Sequence, residues 1–456
     1  MKHQLETDIL IVGGGPAGIQ ASRMLSDSGD NLKVFVVRPE DFSMVYCAIP
    51  YAIEGLIPLE KTFKKDALVT ETGTELIRGS VESVNVDDHM VALNDGRKIA
   101  YKKLLITTGA SPFRPPISGI DAANVFTVKT EADTRRILEQ FDKRFGADGE
   151  KTQKAVVVGA GAIGIEQALA YRANGLEVHL IEMQDHLLPQ MVDADMTGDI
   201  TEKLIETGVQ LHLETMLEAL EGDDRISRVH LSGNKSIDLN PEIDFVIISV
   251  GMSPDIAFLD KAGFDRVNDG LVVDKHMKTS AQDVWAAGDC VSFNSGIDGA
   301  PLGGKLATNA VPMAKVAAGS MLGKDVSYPG FFNGAVTVVG NLRIGGTGFT
   351  ENVARSRGMD VYTSNGATSA RFPIMPDAGS IIVKLVIEKG SDRLVGAQVL
   401  GTEAVAERID LLTFAMQRGA TIADLSELSY SAQPWQTFFP ARNAIVEASS
   451  KALMRR

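Results

Sequence analysis

Three features of the 456-residue sequence predict an α/β fold. A strand–glycine loop–helix pattern stands near its start, a second copy begins near residue 155, and the pattern is lost beyond about residue 328. The two copies read as Rossmann-like domains, in which parallel strands run straight into helices. The remainder reads as an α+β domain with an antiparallel sheet.

The elements follow in chain order. In TDILIVGGGPAGIQASRML, residues 9–12 form an apolar run suited to a buried parallel strand. Gly13, Gly15 and Gly18 follow as G-x-G-x-x-G, with Pro16 and Ala17 opening a helix. Glycines let a backbone approach a pyrophosphate closely, and the N–H groups and dipole of the helix start hold the anion. KKLLITTGASP ends a strand at Gly109. In KAVVVGAGAIGIEQALAYRANGLEVHLIE, residues 155–158 are the strand and Gly159, Gly161 and Gly164 the loop, with Ile163 inside it. Gly175 stops that helix, and residues 178–181 are the next strand. Glu182 lies roughly 18 residues beyond Gly164, where a carboxylate can accept from the ribose hydroxyls of a dinucleotide. IDFVIISVGMSPD ends a strand at Gly251, and VWAAGDCVS places Asp289 at a strand end before a helical stretch at 305–322. Alternating strands such as 380–387 come next, with a hairpin at 389–392. An amphipathic helix then carries Val405, Ile409, Leu412 and Met416 on one face and stops at Gly419.

Composition excludes several classes. The chain is 44% hydrophobic and 23% charged, as folded globular proteins are, which excludes disorder and fibres. Lys plus Arg number 45 against 59 for Asp plus Glu, a net charge of -14 that repels phosphate backbones and anionic lipid. Neither nucleic acid nor membrane is expected as a partner. No apolar run reaches the ~18 residues of a membrane span, and the N-terminus lacks the apolar core of a signal peptide. Two cysteines, Cys47 and Cys290, make no disulfide framework and fit a reducing cytoplasm. No metal site is expected.

Two dinucleotide loops imply two cofactors, most economically FAD and NADH, with NADPH as the variant. Hydride then passes from nicotinamide to flavin.

The order GGGPAG, TTGA, GAGAIGIE, SVGMSPD and AAGDC resembles the flavin-dependent pyridine nucleotide–disulfide oxidoreductases over essentially the whole chain. The resemblance implies an FAD domain at 1–113 and 240–325, an NAD domain at 114–239 and a dimerisation domain at 326–456 that makes a homodimer. It implies that Asp289 contacts the flavin side of FAD and that Glu166 faces the nicotinamide. It makes Glu182 select NADH, since no arginine follows it to receive a 2′-phosphate. The family's acid for the adenosine ribose of FAD is replaced: its place is read as Val37, followed by Arg38, with Glu40 or backbone groups standing in.

The segment DFSMVYCAIPYAIEG carries one cysteine in S-x-x-x-C-x-x-P-Y, similar to the single-cysteine branch: coenzyme A disulfide and persulfide reductases, and NADH oxidases and peroxidases. That resemblance makes Cys47 the redox-active thiol, cycling as a mixed disulfide, a persulfide or a sulfenic acid. Cys290 is read as packing. Pro16 stands where peroxidases usually carry a histidine, and Gln433 where two-cysteine enzymes carry a His-Pro pair. Tyr430 resembles the tyrosine that coenzyme A disulfide reductases use instead, acting across the dimer. Coenzyme A is expected as substrate or bound thiol, with Arg23, Lys61, Lys64 and Lys65 as candidates for its phosphates. The expected activity is NADH-dependent reduction of a low-molecular-weight disulfide, persulfide or polysulfide. The alternatives are an NADH oxidase or peroxidase, or a flavoprotein that donates electrons to a redox carrier protein.

Overall fold

The computed structural model describes residues 4–143, 145–146, 149–302 and 306–455. The chain divides into two compact units: Met1–Ile49, Pro58–Phe113 and Gly251–Phe331 form one, and Pro50–Ile57, Arg114–Val250 and Phe332–Arg456 the other.

The first unit is organised around a seven-stranded sheet. Its parallel strands run in the order Glu75–Arg78, Val34–Arg38, Gln4–Val12, Lys98–Ile106, and Val284–Ala286 pairs with the far end of Lys98–Ile106. Two antiparallel strands, Met90–Leu93 and Val81–Asn85, extend it. Strand Gln4–Val12 is central and covered on both faces, so it reads as an unbroken apolar run: Ile9, Leu10, Ile11 and Val12 are all buried. Helices Pro16–Ser26 and Ala307–Met321 pack against each other. The second matches the expected 305–322, except that residue 305 lies outside the described residues.

The second unit contains a five-stranded parallel sheet in the order Val125–Phe126, Phe245–Ile248, Lys154–Val158, Glu177–Ile181, Val209–His212. This corrects a boundary. The resemblance implies an FAD domain from 240 onward, but Phe245–Ile248 bonds along Ala155 to Val158 and belongs to the sheet of the second glycine loop. That strand ends at Ile248, and the first unit resumes at Gly251 and runs to Phe331.

The same unit holds a five-stranded antiparallel sheet in the order Ala335–Val339, Leu342–Gly348, Leu394–Gly401, Ser380–Glu388, Val361–Ser369. Helix Val405–Gln417 covers it with Val405, Ile409, Leu412 and Met416, all buried, and Gly419 at φ +68° ends the turn that follows. Lys384 on the interior strand Ser380–Glu388 is 2% exposed. A buried ammonium requires a partner. It finds Asp195 at 2.7 Å and Asp193 at 3.2 Å, both from the segment that follows the second parallel sheet's strand Glu177–Ile181, and so ties the two sheets of this unit together.

No helix among the described residues is long and apolar enough to cross a membrane.

Candidate functional site

The two glycine loops repeat one geometry. Gly13 has φ +111°, and a Cβ there would lie 2.3 Å from the Thr107 carbonyl oxygen; Gly159 has φ +101° and stands 2.3 Å from that of Ser249. A Cβ on Gly18 would meet the Gly13 oxygen at 2.0 Å, and one on Gly164 the Gly159 oxygen at 1.9 Å. Around Gly15 and Gly161 there is nothing within 4 Å. The outer glycines therefore let strand, turn and helix touch, while the middle one keeps the helix start open to a ligand. Gly15 and Gly161 are the N-caps of their helices, and no side chain caps either. Their free N–H groups suit a pyrophosphate.

Around the first loop the expected residues converge. Thr107 Oγ1 donates to the Gly13 carbonyl at 2.9 Å, so the TTGA segment clamps the loop. Gly109 has φ +75° and accepts from the Asp255 N–H; Gly251, at φ +119°, accepts from Phe113. The turn before Asp289 wedges between the two helix starts: a Cβ on Gly288 would touch Ala310 at 3.3 Å and Ala17 at 3.4 Å. Buried polar atoms here find no protein partner among the described residues: Ser43 Oγ, Thr108 Oγ1, Arg38 Nε and Asn309 Nδ2. An open loop bordered by unsatisfied donors fits the phosphate, ribityl and ribose oxygens of FAD.

By strand register the counterpart of Glu182 is Arg38, one residue beyond Val37. Val12 pairs with Val37 and Val158 with Ile181, so the residues after those strand partners, Arg38 and Glu182, are equivalent.

In the second unit Glu182 is 7% exposed. Its Oε2 accepts from Ala160 N–H at 2.8 Å and its Oε1 from Gln184 N–H at 2.9 Å. An ionised carboxylate has about four acceptor sites, so two remain for ribose hydroxyls. Ile163, Val250 and Met183, at the loop and the strand ends, are 47%, 39% and 63% exposed, an apolar rim suited to a nucleotide. Glu166, on helix Ala162–Ala173, accepts from Thr337 Oγ1 at 3.1 Å. Burial pushes its carboxyl pKa up, and the hydroxyl partly offsets this. Thr107 opens the TTGA motif, whereas Thr337 has no signal in the sequence beyond lying in a strand; only tertiary pairing picks it out.

The two cysteines differ sharply. Cys290 is fully buried, its thiol donating to Ala287 O at 3.4 Å and Ile106 O at 3.5 Å. Cys47 is exposed. It sits in the helical turn Tyr46–Ala48, closed by Ala48 N–H to Val45 O at 3.0 Å, which leads into helix Ile49–Glu54 with Pro50 in its first turn. The ribbon of Ser43–Met44 with Phe63–Lys64 anchors that turn, and Phe42 stacks on Phe63 at 3.9 Å. Tyr430 is 41% exposed, and its hydroxyl donates to Pro440 O at 2.6 Å. Arg23, Lys61 and Lys65 are exposed and Lys64 half-buried. No His, Cys, Asp and Glu grouping among the described residues suits a metal ion.

The sequence model described as pyridine nucleotide-disulphide oxidoreductase matches residues 7–314, and that of the family's dimerisation domain matches 335–437. An NADH oxidase of Methanocaldococcus jannaschii is 29% identical over 93% of this chain and 94% of its own. A coenzyme A-dependent NAD(P)H sulfur oxidoreductase of Pyrococcus abyssi is 30% identical over 94% and 95%. Among solved structures, an NAD-dependent persulfide reductase from A. fulgidus superposes with a TM-score of 0.91 at 28% identity, over 98% of this chain and 83% of that one.

Proposed function

This chain belongs to the pyridine nucleotide-disulphide oxidoreductases, and from that premise we propose that it uses NADH to reduce low-molecular-weight disulfides, persulfides or polysulfides through Cys47. It is an FAD- and NAD(P)H-dependent oxidoreductase acting on sulfur. The observation that carries the assignment of the thiol is the contrast between exposed Cys47 and buried Cys290.

When bound, FAD supplies the two-electron relay between nicotinamide and sulfur. The residues of this chain do the rest. The loop at Gly13, Gly15, Pro16, Ala17 and Gly18, with Gly109, Gly251 and Asp289, holds FAD. Gly159, Gly161, Ile163, Gly164 and Glu182 hold NADH, and Glu166 borders the nicotinamide. The Cys47 thiolate attacks one sulfur of a disulfide, forming a mixed disulfide and expelling the other half as a thiolate that takes up a proton. A persulfide is attacked at its outer sulfur, which leaves Cys47 persulfidated and frees the thiol. Two electrons from NADH then cleave the new S–S bond, restoring the Cys47 thiolate and releasing a second thiol or hydrogen sulfide.

Matching the family's dimerisation domain supports a homodimer. In it, Tyr430 of the second copy would leave Pro440 to protonate the departing thiolate. The names of the Pyrococcus relatives favour coenzyme A as the thiol, with Arg23, Lys61, Lys64 and Lys65 near enough in sequence to Cys47 and its loop to serve its phosphates. Two free thiols favour a cytoplasmic setting. The oxidase reading is favoured by the Methanocaldococcus relative and keeps the same thiol.

Intact mass of the protein, taken before and after thiol reductant, tests this. Incubation with coenzyme A disulfide or polysulfide is expected to add coenzyme A or sulfur to Cys47. An oxygen adduct alone, in the presence of these substrates, overturns the sulfur assignment in favour of the oxidase.

A further inference from the structure

We propose that the first nucleotide site grips the adenosine ribose of FAD with the hydrogen-bond donors of Arg38, reversing the polarity of the carboxylate grip at Glu182. The inference rests on FAD being the ligand of that site.

Register makes Arg38 and Glu182 equivalent, and Gly14 the equivalent of Ala160. At the second site the carboxylate accepts from the loop N–H of Ala160 at 2.8 Å. At the first site the direction is inverted, because Arg38 Nη1 donates to the carbonyl of Gly14 at 3.4 Å. Gly14 and Arg38 are also sterically linked: a Cβ at residue 14 would lie 2.3 Å from Arg38 Cδ, so the guanidinium arm lies where an alanine methyl would go.

A guanidinium has five N–H donors. Arg38 is 2% exposed, and its Nη2 is engaged by Asp66 and by the Asp41 carbonyl at 3.4 Å. Asp66 is shared with Arg78, whose Nε also faces the Asp41 carboxylate at 3.9 Å, so two guanidinium charges meet two carboxylates there. Nη1 has one donor left beyond its bond to Gly14, and Nε has no partner among the described residues. A buried, unpaired N–H of a charged group is costly unless a ligand satisfies it. The ribose hydroxyl oxygens, at the end of this strand in a dinucleotide fold, are acceptors as well as donors and complete the set. A carboxylate there can only accept, whereas the free N–H groups of Arg38 can only donate.

The test strips flavin from the full-length protein and titrates it back, following flavin fluorescence and absorbance. Recovery of a full FAD load by the wild type shows that the stripped chain is competent. Arg38→Met is expected to weaken FAD at least tenfold while FMN, which lacks the adenosine ribose, binds wild type and variant within about twofold of each other. Competition on the unmutated chain avoids any folding defect: 5′-ADP should displace FAD at least tenfold better than 2′,3′-dideoxy-ADP, which lacks the ribose hydroxyls. Unchanged FAD affinity in the variant, equal loss of FMN, or equal displacement of FAD by the two nucleotides overturns the inference. A wild-type chain that takes up no FAD at all overturns the flavoprotein reading instead.

Discussion

Glu182 is committed twice to the backbone before any ligand arrives, and that fixes what it can select. With Ala160 and Gln184 holding one lone pair on each oxygen, the remaining pairs accept from ribose hydroxyls, whereas a 2′-phosphate brings a second negative charge to a buried carboxylate. NADH should therefore be preferred to NADPH in kcat/KM by roughly tenfold or more, about 1.4 kcal/mol, and Glu182→Ser should erase most of that preference. Steady-state kinetics with both cofactors checks it; comparable values in the wild type would contradict it. At this scale the sequence was readable where a motif is local and misread where it is not. Glu182 follows its own strand and loop within one stretch of chain. The equivalence of Arg38 with Glu182 is not local: only the pairing of Val12 with Val37 shows it.

Among elements, the glycine loops separate packing from binding. Gly164→Ala drives a methyl into the Gly159 carbonyl and should cost about 1–3 kcal/mol of stability with or without NADH. Gly161 has an ordinary φ of −71° and open surroundings. Gly161→Ala should leave unfolding within about 0.5 kcal/mol of wild type yet weaken NADH roughly tenfold, as the methyl meets the pyrophosphate. Denaturant melts beside NADH titrations distinguish the two; equal effects on both would contradict the division of roles.

The neighbouring strands Glu177–Ile181 and Val209–His212 carry a second device. His179 Nδ1 lies 3.0 Å from His212 Nε2, and Glu177 contacts the other His179 nitrogen at 3.2 Å. Burial lowers both histidine pKa values; Glu177 partly opposes this for His179, and for His212 the charge of His179 and then Lys235 add to it. Folded values below the ordinary ~6.5 mean that the unfolded chain binds these protons first. Stability from the pair is present above about pH 6.5 and is lost as pH falls through and below it, by at most ~1.4 kcal/mol per pH unit for each extra proton taken up. His212→Asn should flatten that slope in melts between about pH 8 and 5.5. An unchanged slope would contradict the assignment.

For the molecule as a whole, the parallel sheets and the helix Val405–Gln417 are legible because each depends on short-range patterns: an apolar strand, a glycine turn, a 3.6-residue stripe. The boundary near 240 is not, because Phe245–Ile248 looks like any buried parallel strand and could have joined either sheet. The bond from Thr337 to Glu166 and the Lys384–Asp195 pair were equally hidden, since each joins residues more than a hundred positions apart. The site divides the same way. The sequence displayed the two loops and the lone exposed thiol, but what surrounds them comes from distant strands.

That thiol carries the functional claim, and one variant tests it most directly. In Cys47→Ser, anaerobic NADH should still bleach the flavin at a rate close to wild type, because accepting hydride does not use the thiol. Reduction of coenzyme A disulfide, its persulfide or polysulfide should fall by orders of magnitude, because a serine hydroxyl cannot replace a thiolate in exchange. A variant that reduced these sulfur substrates at wild-type rates would contradict the account and make Cys47 a surface residue without a redox role.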